Sequence, residues 1–363
     1  MMPPLQADVA ILGAGAAGAA LAIRLACMGA RVVLVDARAE QPALWPDKPG
    51  ERLPAQARFA LNDLGVAWET LTQPEAGVRV HWSGPLPRDI APTSAPALLC
   101  GRNALDAALM DRAQALGVKL LVGHHFHGVD GRPGRWCLQL KSVQKQEVET
   151  ALLVDASGRR AVLAQGLGQG LIRRDDALIG LLRWWQGGSA CPAVFHLEAL
   201  ADGWCYASVL PVGRGVMGFI TLRGLLQVRP LQGWLEAWHR ADLVRRAVPD
   251  GVVWGPVASF AAGPGLAAQA VGPGWARIGD AAAQGDPIEG RGMLRALQTA
   301  QHLAGLIGAE AGAQRTARQT YQDYLADWHR DHLNQRRLVY GDSDRLGAAF
   351  LAGIAAKSRA ACG

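Results

Sequence analysis

Lysine is nearly missing from this chain: of 37 basic residues, five are lysine and the rest arginine. With no basic block and no aromatic-plus-basic motif, the formal charge of +6 does not read as a nucleic-acid surface. Codon bias in a GC-rich genome accounts for the arginine, alanine and glycine equally well. No apolar run approaches the ~18 residues of a membrane span, so no membrane span is expected. The apolar stretch GAAFLAGIAA (347–356) is too short to cross and reads as a packing helix. Met1 to Asp8 is too short and too polar for a signal peptide. The six cysteines (Cys27, Cys100, Cys137, Cys191, Cys205, Cys362) contain no CxxC, which argues against structural zinc and a disulfide framework. Their scatter points to a reducing compartment, and a cytoplasmic protein is expected. What remains is a chain of 363 residues, 50% apolar and 19% charged, with ample material for a core.

What is abundant is glycine, and it is concentrated at two strand-to-helix turns. The first lies in DVAILGAGAAGAALAIRLACMGARVVLVDAR, from Asp8. An apolar strand runs into Gly13, Gly15 and Gly18, small residues including Ala16 and Ala17 follow, and a second apolar strand ends at Asp36. Gly13 permits the tight turn, Gly15 lets a pyrophosphate approach the backbone, and Gly18 lets helix and strand pack closely. The helix N-terminus attracts the phosphates, and Asp36 would accept from the adenosine ribose hydroxyls, with Arg38 beside it. Strand, helix and acid supply the context that a lone GxGxxG lacks. This is a dinucleotide site, and no second mononucleotide half of the NAD type follows it.

The second turn is GWARIGDAAAQGDPIEGRGMLRAL (274–297), again a strand, an acid (Asp280), Pro287, Gly290, Gly292 and a helical pattern. Between the two come GERLP (50–54, with Glu51), a helix opening at Arg102 with an apolar stripe of Leu105, Ala108, Leu109 and Leu116, and VDASGR (154–159, with Asp155). Residues 60–99 and 172–270 are richer in tryptophan and in strand-like alternation, as in GWCYASVLP, where Trp204, Tyr206, Ser208 and Leu210 share a face. HHFH (His124, His125, His127) lacks an acid at ligand spacing and reads as a structural or surface cluster; no metal is expected.

In this order the motifs resemble the FAD-dependent monooxygenase superfamily, with its para-hydroxybenzoate-hydroxylase-like and tryptophan-halogenase-like fold. The resemblance implies an α/β protein: a Rossmann-like FAD-binding domain with a three-layer, mostly parallel sheet (1–59, 100–171 and 271–312), an interleaved antiparallel substrate domain (60–99 and 172–270) and a C-terminal helical segment (313–363). It implies that FAD lies extended, with its adenosine end at Gly13–Gly18 and Asp280 on the ribityl–phosphate region. Pro287 to Met293 would then run beside the flavin ring. Glu51, Arg102 and Asp155 would join the cofactor-binding set. Trp204 and Tyr206 are expected to line the substrate cavity. Glu289, in the flavin-side loop, is a candidate for tuning the ring or protonating a peroxide.

The implied reaction is hydroxylation of an aromatic or indole group through a flavin C4a-(hydro)peroxide, with molecular oxygen as co-substrate. Electrons would come from transiently bound NAD(P)H or a separate flavin reductase. The segment 321–350 with DPIEGRGMLRAL looks like the small flavoproteins that mature tryptophylquinone-containing amine and amino-acid oxidases, so the substrate is an aromatic small molecule or a protein or peptide tryptophan. Those proteins carry aromatics where this chain has Leu346 and Leu351. Alternatives are a geranylgeranyl-reductase-like reductase of isolated double bonds, a halogenase, or a non-catalytic flavin-binding maturation factor. The absence of lysine between Pro49 and Val118 counts against the halogenase.

Overall fold

The computed structural model describes residues 3–38, 48–170, 172–308 and 314–355. The expected C-terminal segment is therefore seen from Gln314 to Ala355, and positions 313 and 356–363 lie outside the described residues.

The strand Leu5–Leu12 sits mid-sheet. It pairs in parallel with Lys145–Asp155 on one side and Val32–Asp36 on the other. Trp275–Arg277 extends the first pairing and Lys119–Val122 the second, both in parallel. Strands covered on both faces read as continuous apolar runs, and every residue of Val32–Asp36 is buried. Helices Ala16–Cys27, Arg102–Ala115 and Gly292–Ile307 pack on one face through Leu21, Leu105, Leu109 and Leu297. The antiparallel strands His125–Arg132 and Arg135–Lys141 cover the other with Leu138 and Leu140. The register sets Leu12, Asp155 and Arg277 side by side, so the turns that follow these strands meet along one edge. At the carboxyl ends of parallel strands, that edge is where ligands bind.

A second sheet is mainly antiparallel, with Leu178–Gln186, Arg214–Leu222, Gly203–Leu210 and Val194–Leu200 in spatial order. Gly77–His81 and Arg88–Ile90 extend it, so chain from before and after the middle of the parallel sheet shares this second one. Alternation divides Gly203–Leu210 cleanly. Trp204, Tyr206 and Leu210 enter one core, while Cys205, Ala207 and Val209 enter another with Trp234 of the helix Pro230–Arg240.

The helix Gln314–Gly341, about 42 Å long at 1.5 Å per residue, joins both units. Tyr321 and Leu325 belong to the core of the parallel sheet, and Tyr340 to the core of the antiparallel one. The following helix Ala348–Ala355 buries Phe350 and Ile354 against the second sheet. This tail does more than cover the nucleotide half.

Candidate active site

The first glycine turn is built by close contact. A Cβ on Gly18 would stand 1.9 Å from the Gly13 carbonyl oxygen, and one on Gly13, at φ +108°, 2.3 Å from that of Ala156. Gly15 is different: it caps the helix Ala16–Cys27, no side chain satisfies that N-terminus, and a Cβ there would meet nothing within 4 Å. An uncapped helix start beside open space fits a diphosphate. Ala16 and Ala17 are buried, and Ala17 packs against Gly279 of the second turn, so the two turns touch. Asp155 is buried beneath them. Its carboxylate accepts from the Ser157 amide and hydroxyl (3.0 and 2.6 Å) and the Ala164 amide (2.9 Å), which makes it the anchor of the turn that abuts Gly13. Burial raises its pKa against those hydrogen bonds.

Asp36 ends its strand as expected, gripped by Arg38 at 2.6–3.1 Å through a forked pair. Arg38 also reaches across to Asp106 (3.7 Å), which accepts from Lys48 (2.8 Å) and Arg102 (3.0 Å). Asp106 is fully buried; burial alone would raise its pKa, but Arg102 and Lys48 outweigh it and the carboxyl titrates below its usual range. Arg38, Lys48 and Arg102 thus share Asp106 as a buried counter-charge, with Glu51 also acting on Arg102. Arg102 donates to the Pro49 carbonyl (2.7 Å) and thereby holds the loop before Glu51. A Cβ on Gly50 would lie 2.8 Å from Arg102 and 3.5 Å from Met293, so this loop bridges the helix starts at Arg102 and Gly292.

At the other end, Asp280 contacts Arg295 and lies 3.4 Å from Arg159. Burial pushes its pKa up, but the two arginines prevail and hold the carboxyl low. It is still about a third exposed, as a cleft wall is. Pro287–Glu289 forms a tight turn that ends on Gly290 at φ +62°, and the helix Gly292–Ile307 starts with no side-chain cap and open space at Gly292. Its dipole favours negative charge at that point.

The tail helix holds this loop in place. Trp328, His332, Arg336 and Tyr340 recur at four-residue intervals and so follow one face. Arg336 sits between two buried acids, donating to Asp286 (2.6 Å) and contacting Asp176. Tyr340 donates to Asp286 (2.9 Å) and accepts from the Trp204 indole (3.0 Å). The Asp286 amide donates to His332 Nε2 (2.9 Å), and His332 Nδ1 lies 2.8 Å from Glu289. Burial first, then Asp286, pushes the Tyr340 phenol well up.

The second sheet meets the loops at Glu51. Tyr206 is buried, stacks on Phe195 (5.8 Å) and points its hydroxyl at Glu51 (3.4 Å). Burial, then Glu51, lifts its pKa well above 10, so it stays a proton donor. Trp204 lies deeper, 2% exposed and bound to the tail. Ile288 packs into the same core, which sets the turn Pro287–Glu289 against this face.

The residues missed from sequence are Lys48, Asp106, Asp286, Arg159, Arg295, His332, Arg336 and Tyr340. Asp106 carried a signal, an acid one turn after Arg102 beside an apolar stripe. So did the tail, in its four-residue repeat. Arg159 and Arg295 find Asp280 only through the fold.

The two uncapped helix starts, at Gly15 and Gly292, both face open space. Residues 6–182 match the family described as FAD binding domain. The chain is 28% identical over 338 residues to a menaquinone reductase of Mycolicibacterium smegmatis, across 83% of this chain and 76% of that protein. It is also 28% identical over 349 residues to one of Mycobacterium tuberculosis, across 89% and 80%. Among solved structures it is similar to a peptidyl tryptophan dihydroxylase essential for tryptophylquinone cofactor biogenesis (27% identity, 96% and 79% coverage, TM-score 0.77). A flavin-dependent brominase shares the fold (20% identity, 88% and 84% coverage, TM-score 0.76). With its parallel sheet, its antiparallel partner sheet and an FAD-binding-domain match over residues 6–182, the chain has the fold of the FAD-dependent monooxygenases and halogenases.

Proposed function

We propose that this oxidoreductase hydroxylates an aromatic or indole group, with a tryptophan side chain of a protein or peptide as the favoured substrate. The observation that carries this reading is the tail helix built into the site through His332, Arg336 and Tyr340. The likeness to the tryptophan dihydroxylase spans 96% of the chain, so it takes in most of that tail.

Gly13–Gly18, Asp36, Arg38, Lys48 and Arg102 would hold the adenosine and diphosphate end, and Asp280 with residues 287–293 the flavin end. FAD supplies the two-electron and oxygen chemistry when bound. The protein orients and excludes water. Tyr206, Phe195 and Trp204 offer an aromatic wall beside Glu51, suited to stacking or edge contact with an aromatic ring. Tyr206, kept protonated, donates rather than accepts at that wall. Hydroxylation places one oxygen atom of O2 in the substrate and the other in water, and takes two electrons from NAD(P)H, directly or through a flavin reductase.

The curated relatives, named menaquinone reductases, favour a second reading and support it more directly: a geranylgeranyl-reductase-like reduction of an isolated double bond. One pair of incubations separates the two. The FAD-loaded protein with NAD(P)H, a flavin reductase and 18O2 should add labelled oxygen to tryptophan in candidate peptides, read by mass spectrometry. Under strict anaerobiosis with menaquinone, a gain of two hydrogens in the isoprenoid tail would transfer the assignment to the reductase. Neither product from flavin-loaded protein would overturn both.

A further inference from the structure

Asp280 is held by two arginines, and the two are themselves held in different ways. Arg159 is pinned by backbone: it donates to the Gly263 carbonyl (2.8 Å) and the Gly285 carbonyl (2.7 Å). Arg295, 4% exposed, donates from Nη2 to Asp280, and its Nε has no hydrogen-bond partner among the described residues. Against its guanidinium lies the ring of Trp328, whose centroid is 4.5 Å from Cζ. A desolvated guanidinium over an indole is attracted by the negative face of the ring. Trp328 belongs to the tail helix Gln314–Gly341 and in turn stacks on His332 at 5.1 Å. Glycine at 285 lets this group close up: a Cβ there would stand 2.6 Å from Arg295 Nη1, 3.4 Å from Trp328 and 3.5 Å from His332.

We infer that Trp328 is a positioning residue for the flavin end: it holds Arg295, Arg295 holds Asp280 at the cleft wall, and docking of the tail is thereby coupled to retention of FAD. This rests on the reading that Asp280 meets the ribityl–phosphate region, and on no particular reaction, so it serves a hydroxylase and a reductase alike. Without the ring, the Arg295 guanidinium keeps a grip from one side only and can swing away from Asp280. Arg159, 3.4 Å from the same carboxylate, then holds it alone. Coupling of this kind is reciprocal: bound FAD steadies the tail as the tail steadies FAD.

The dissociation constant of FAD, read by flavin fluorescence as the FAD-free protein is titrated, tests this without any substrate. Trp328→Leu should weaken binding by about 10-fold, the scale of a desolvated cation–π contact. Trp328→Phe, which keeps a ring face, should stay within about 3-fold of wild type. In an Arg295→Met background, Trp328→Leu should add under about 2-fold, because the pair acts as one unit. A role in packing alone would cost the same factor in both backgrounds. Should Arg295→Met fail to fold, hydrogen exchange decides: amides of 321–340 should exchange more slowly with FAD bound, and Trp328→Leu should shrink that protection. Equal losses in both backgrounds, Trp328→Leu within about 2-fold of wild type, or tail protection indifferent to FAD would each overturn the inference. So would Asp280→Ala binding FAD as tightly as wild type, which removes its premise. A failed hydroxylation assay moves none of these readouts, so the two failures are told apart.

Discussion

Arg336 is the most exacting test of how the tail is attached. It is 4% exposed and lies between Asp176, which leads into the second sheet, and Asp286, which opens the turn Pro287–Glu289. Arg336→Met keeps much of the stem and removes the cation that contacts both buried carboxylates. Breaking a buried pair from one side costs about 3–5 kcal/mol, because the remaining charge is left uncompensated. At ~2–4 °C per kcal/mol, the melting temperature should fall by on the order of 10 °C. The sign of the pH dependence follows from Asp176, whose pKa is already raised by burial against the pull of Arg336. Without the guanidinium it rises further, so the folded state binds more protons than the unfolded one above pH 3.8. Stability is then lost as pH rises through the folded value. The variant should therefore lose more at pH 8 than at pH 5. Urea melts at the two pH values read this directly. A loss under about 1 kcal/mol at pH 8, or equal losses at both, would refute the reasoning.

Two further outcomes are expected. Gly18→Ala places a methyl group against the Gly13 carbonyl, where nothing flexible can yield, so the protein should purify without bound FAD or fail to fold; the ratio of flavin to protein absorbance measures it, and a normal ratio would contradict the packing role. Asp106→Asn leaves Lys48 and Arg102 without their shared buried counter-charge, and the loss of a charge-assisted pair should weaken FAD binding by roughly 10-fold or more. Isothermal titration of the apoprotein checks this, and unchanged affinity would mean the cluster serves the fold alone.

The parts of the site legible in the sequence are those written locally. Gly13, Gly15 and Gly18 owe their identity to contacts within a few residues of chain, and Asp36 to the end of an apolar strand. The face shared by Trp204 and Tyr206 follows from simple alternation. Asp155, an acid at the end of a strand in VDASGR, shows what local pattern leaves out: that its oxygens accept from Ser157 and Ala164 follows only from the fold of the next turn. The partners of the tail, unlike its four-residue repeat, were not legible. Arg336 meets partners 50 and 160 residues away, and a helix with mixed polar residues does not announce which of its faces will be buried. Burial of Arg336, His332 and Tyr340 depends on two sheets arriving first.

That arrival order has a consequence for biogenesis. Residues 321 and 325 complete one core, and 340, 350 and 354 complete the other. Each sheet can pair its strands by itself, yet neither core closes until the helix Gln314–Gly341 lies against both, so the two halves share their last step of folding.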